Sequence, residues 1–149
     1  MQKQLLDPYN VALGVLNPLN SGQGLRNQDL AGAICSAIND WQIEKWTAKD
    51  SRLKGSIVVA NEDAVSAAAE IRKRAGDKNF VQVLLLSRNV EPLGQRRYWP
   101  VYEAAQEIGL PIGILLLIAQ FLRRRIRDRA RAVWNIDHKG DDAKRVRAR

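Results

Sequence analysis

The chain has 149 residues, 46% of them apolar, with a single cysteine and a formal charge of +8. This length allows one domain with a real core, the apolar share excludes a disordered chain, and a lone cysteine excludes an internal disulfide and suits a reducing, cytoplasmic setting. The charge is uneven: residues 1–115 hold 13 Lys+Arg against 12 Asp+Glu, or +1, whereas residues 116–149 hold 11 against 4, or +7, so any case for nucleic acid concerns the tail alone.

Met1–Asp7 is short and polar and does not read as a signal peptide. Leu5 and Leu6 could close a helix, which Asp7-Pro8 breaks. Val11–Leu16 is a short apolar strand, and Asn17–Gly24 is a loop rich in Asn, Pro, Ser and Gly. Asn27 caps a helix running to about Ala48, with Leu30, Ile34, Ile38, Trp41 and the stem of Lys45 as its inner face. Cys35 lies mid-helix among Ala33, Ile34 and Ala37 and reads as a small buried apolar residue, not a nucleophile. Gly55–Ala60 is a second strand. Asn61 or Asp63 caps a helix to about Arg74 whose inner residues are Val65, Ala68, Ala69 and Ile71. Gly76–Lys78 is a turn.

Phe80–Ile114 organises the rest. Phe80–Leu86 is an apolar run suited to a strand buried on both faces. Ser87–Arg97 holds Pro92 and Gly94 and is a loop. Pro100 fits the first turn of a helix, where its missing N–H costs nothing. Tyr102, Ala105 and Ile108 share one side, Gly109 ends the helix, and Leu110–Ile114 is a fourth strand. Strand and helix alternate, which implies a parallel α/β sheet with right-handed crossovers. An open doubly wound sheet and a piece of a (β/α)8 barrel both satisfy this pattern. No GxGxxG follows the first strand; Gly22 and Gly24 in SGQGLRN are only a loose likeness to it.

Several phrases resemble the amidohydrolase-related family of metal-dependent (β/α)8 barrels, which includes hydrolases and decarboxylases. They are LLDPYNVALGVLNP (5–18), INDW (38–41), SRLKGSIVV (51–59) with AAAEIRK (67–73), and EPLGQRRYWPVYEAAQEIGLPIGI (91–114). None is a catalytic motif; their order and spacing carry the likeness. The resemblance implies a partial (β/α)8 barrel of about four parallel strands with crossover helices over 1–115, from about the second barrel strand to the fifth, cut at both ends. A basic helical tail follows over 116–149. In the family a divalent metal, usually zinc, sits at the C-terminal mouth. A His-x-His pair on the first strand, a His after the fifth, another on the sixth and an Asp on the eighth hold it, and the metal makes hydroxide from water near neutral pH.

The sequence departs from that pattern. It has no His-x-His, and where the family places its third His this chain has Leu115. The sixth to eighth strands have no counterpart. The only histidine, His138, lies in the tail near Asp137, Asp141 and Asp142, in what reads as a solvated turn. No metal cofactor and no catalytic residues are therefore expected for this chain, and it is expected to be inactive alone. The tail switches from LLLIAQFL (115–122) to an arginine-rich run. An interfacial amphipathic helix, a membrane anchor and phosphate contacts to nucleic acid each account for part of this. A shift of reading frame near codon 115 accounts for the abrupt change, and the other frames of the coding DNA would show it. A non-catalytic module whose tail binds a membrane surface or nucleic acid is the alternative function.

In a barrel, the loops after the strands face the substrate. They carry Asn17 and Asn20, Asn61 and Glu62, and Ser87, Arg88 and Asn89. Asn17, Ser87 and Arg88 are the substrate-side candidates, with Arg88 offering a planar fork to a carboxylate. Arg96 and Arg97 read as surface residues, Trp99 and Tyr102 as packing residues. A small-molecule substrate is expected only in an intact family member. Four strands cannot close a barrel, so self-association through open edges is expected. Leaving about 400 Å² of apolar surface exposed forgoes roughly 10 kcal/mol, comparable with a domain's whole stability.

Overall fold

A computed structural model describes residues 2–87 and 89–115 of the chain. Four strands form one sheet in the order β1-β2-β3-β4: β1 Gly14–Leu16, β2 Leu53–Val58, β3 Phe80–Leu86 and β4 Ile112–Leu115. Every pair is parallel, and sequential strands are neighbours. Helices α1 (Gln28–Gln42), α2 (Ala64–Lys73) and α3 (Trp99–Glu107) make the crossovers. This is a half-barrel, as the sequence resemblance implies.

Strand ends differ from expectation where a turn claims the backbone first. Val11 donates its N–H back to the Leu6 carbonyl (2.9 Å), closing the helical turn Gln2–Leu6, so β1 begins only at Gly14. Val59 and Ala60 are buried, yet their carbonyls accept from Asn61 and Asp63 in the turn into α2, so β2 stops at Val58. Leu110 donates to the Ala105 carbonyl (3.0 Å) after Gly109, whose φ is +70°, so β4 starts late. β3 has the expected bounds.

The helix caps are as read: the Asn27 side chain accepts from the Leu30 N–H at 3.0 Å, and Asp63 accepts from that of Ser66 at 3.3 Å. The inner face of α1 is not. Its buried residues are Ala31, Cys35, Asn39 and Gln42, while Leu30 is 51% and Trp41 47% exposed. The helix is turned by one residue from the apolar stripe. Past Gln42 it widens into a π turn, Ile43–Thr47. In α2 the buried residues are Ala67, Ala68 and Ile71, with Val65 and Ala69 facing out.

The reason for the turn of α1 lies in β2. Gly14 donates to the Arg52 carbonyl, so even-numbered residues of β2 direct their backbone groups toward β1. β1 ends opposite Gly55. Beyond it, Ser56 and Val58 would have no partner on that side. The Gln42 amide accepts from the Ser56 N–H (3.2 Å) and donates to its carbonyl (3.0 Å). The Asn39 amide does the same for Val58, at 2.9 and 3.0 Å. Two side-chain amides thus continue the ladder that β1 leaves unfinished.

The main core lies between the sheet and helices α2 and α3. It joins Ile57, Val59, Val83 and Leu85 to Ala67, Ile71, Val101 and Ala104. The alternate strand residues Val58, Ala60 and Leu84 form a second cluster with Ala31 and Cys35 of α1, and Leu115 packs against it. Among the described residues no helix is long and apolar enough to cross a membrane.

Candidate functional site

The sheet face opposite α2 and α3 is the one that lines the inside of a barrel. A polar row crosses it. Ser56 Oγ donates to Asn17 Oδ1 at 2.8 Å, and Gln82 Nε2 donates to Asn17 Oδ1 and to Ser56 Oγ, both at 2.9 Å. Gly113 extends the row on β4. A Cβ there would come within 2.9 Å of Gln82 Oε1, so the glycine leaves room for the amide. The row holds amides and a hydroxyl only. It can bind by hydrogen bonds but cannot move a proton near neutral pH.

At the C-terminal ends of the strands the loops are tied together. Asn61 Nδ2 donates to Asn89 Oδ1 (2.6 Å), and Asn89 Nδ2 donates to the Leu86 carbonyl (3.0 Å). Glu62 accepts from the Val90 N–H (2.8 Å) and from the hydroxyl of Tyr98 (3.1 Å), and pairs with Arg97 at 3.2 Å. Tyr98 is fully buried, and burial pushes its hydroxyl above the ordinary range, so it stays a donor. Arg97 also pairs with Glu91 (3.0 Å). These bonds lock the β3–α3 loop onto the end of β2.

Of the substrate-side candidates, Asn17 belongs to the polar row, and the Ser87 N–H bonds the Leu115 carbonyl at 3.2 Å. Arg88 lies outside the described residues, as does His138 with its acidic neighbours. Arg97 is exposed but not idle, since it closes the Glu62 network. Trp99 is half exposed with Arg96 stacked over it at 5.4 Å, and Tyr102 packs against the core, its hydroxyl bonded to the Leu93 carbonyl. Sequence reasoning passed over Ser56, Gln82 and Tyr98. Ser56 and Gln82 are the polar interruptions of the runs GSIVVA and FVQVLLL, and a polar residue inside an apolar strand is the informative kind.

Cys35 is 1% exposed and its thiol donates to the Ser21 carbonyl. Burial pushes its pKa from 9.0 up to about 12, with the Glu70 carboxylate adding to the shift. The folded state holds this proton more tightly than the unfolded chain. The stability it contributes is thus whole below about pH 9 and falls as pH rises toward 12. At pH 8 a thiol reagent should label Cys35 only as fast as the protein opens. Labelling that is rapid without denaturant would contradict this burial.

Among the described residues no three His, Cys, Asp or Glu side chains converge as metal ligands. Leu115, in the place the resemblance gives to a ligand His, ends β4 opposite Leu86 and packs against the Val58, Ala60 and Leu84 cluster. A hydrocarbon there cannot ligate, so the donor set of the described residues does not fit the family's metal.

The sequence profile of the amidohydrolase family matches residues 1–140. The chain belongs to the amidohydrolase family. The matched span runs past Ile114, where the likeness read from the sequence stops, into the stretch for which a shifted frame was the expectation. Solved barrels of the family superpose on the chain. The 5-carboxyvanillate decarboxylase of Novosphingobium aromaticivorans, with bound manganese, is 22% identical at a TM-score of 0.66, covering 73% of this chain and 32% of its own. The 2,6-dihydroxybenzoate decarboxylase from Rhizobium is 19% identical at 0.65, covering 75% and 37%. The 5-carboxyvanillate decarboxylase of Sphingomonas paucimobilis is 24% identical at 0.64, covering 75% and 34%. The chain thus spans about a third of the length of these structures. At such identities the likeness establishes the fold. No curated protein matches the chain significantly.

Proposed function

We propose that this chain supplies one wall of an amidohydrolase-type barrel and does not catalyse by itself. In a whole barrel the chemistry would be metal-dependent hydrolysis or decarboxylation of a small carboxylate or cyclic substrate, the class to which the structural relatives' substrates belong. The wall offers hydrogen bonds from Asn17 and Gln82, with Ser87 and Arg88 on the substrate side.

The observation that carries the reading is Leu115. A catalytic metal site takes about three protein ligands, and the described residues bring no three donors together. The chain's one histidine, His138, cannot supply the family's set alone. Purified chain should lose added zinc or manganese on dialysis. It should release no carbon dioxide from 2,6-dihydroxybenzoate or 5-carboxyvanillate above the uncatalysed rate. Stoichiometric metal surviving dialysis, or metal-dependent turnover, would overturn the proposal.

A further inference from the structure

We draw no further inference here: the strongest candidate, the cleft of about 300 Å³ between α1 and α2 bordered by Gly32, Cys35, Ser66, Ala69, Glu70 and Lys73, carries nothing because its charged side chains and its thiol already have partners within the chain, Glu70 with Arg74, Lys73 with Ser36 and Cys35 with the Ser21 carbonyl, and nothing in the structure shows what would fill it.

Discussion

Replacing Asn39 by Leu should remove about 2–6 kcal/mol of stability, since two buried backbone groups each lose a partner worth about 1–3 kcal/mol. Leucine shares the amide's branched outline and is larger, so little of the loss comes from a cavity. It comes from the Val58 N–H and carbonyl, which face the side where β1 has ended. Asn39 Nδ2 also donates to Glu70 Oε1 at 2.9 Å, and that bond goes too. Gln42→Leu should act the same way through Ser56, without the Glu70 contact. Trp41→Ala is the control. Trp41 is half exposed on the opposite face and should cost far less, although its edge meets the Trp46 ring at 5.9 Å. Urea denaturation of the three variants decides. If Trp41→Ala is the costly one, the helix presents its apolar stripe inward after all.

The sheet was largely legible because its strands are apolar runs bounded by turns. β3 needed nothing more, and the parallel order followed from strand and helix alternating. The inner face of α1 was not legible, for a physical reason. Apolar periodicity finds the side of a helix that meets other side chains. α1 meets an unfinished strand edge, which calls for amides, so Asn39 and Gln42 lie inward and Leu30 and Trp41 outward. The phrase INDW marked the place through family likeness, but nothing local in it says which residue is buried. The strand ends failed similarly: Val11, Val59 and Leu110 are as apolar as any strand residue, and only the turn bonds exclude them.

The site was less legible. Asn17 stood out as a polar residue after a strand, but its partners Ser56 and Gln82 come from β2 and β3, far along the chain. Only the strand register puts them beside it. Tyr98 carries the β3–α3 loop through Glu62, a contact spanning 36 positions that no spacing rule anticipates. Leu115, by contrast, was visible from sequence as the wrong residue in a ligand's place. The structure adds why that matters: the side chain is packed among hydrocarbon.

Arg74→Met should cost about 3 kcal/mol or more, the loss typical of breaking a buried ion pair on one side. Arg74 is among the most buried charged side chains described, 7% exposed, and its partner Glu70 is 14% exposed, with 2.8 Å between them. Asp40, the second partner at 2.6 Å, is 62% exposed, so solvent screens it and it adds little. Methionine keeps most of the stem that lies over Phe80, where the guanidinium stands 5.9 Å from the ring centre. What remains is a largely buried carboxylate left with only the exposed Lys73, at 3.7 Å, as a cation. The double variant Glu70→Gln with Arg74→Met removes both charges and should recover part of the loss, although the cation–π contact stays lost. Glu70 also accepts from Asn39, so Asn39→Leu and Arg74→Met act on one carboxylate and should not be additive. A double-mutant cycle on denaturation midpoints measures both couplings. Strict additivity would mean that Glu70 is solvated, and that α1, α2 and β2 are not joined through it.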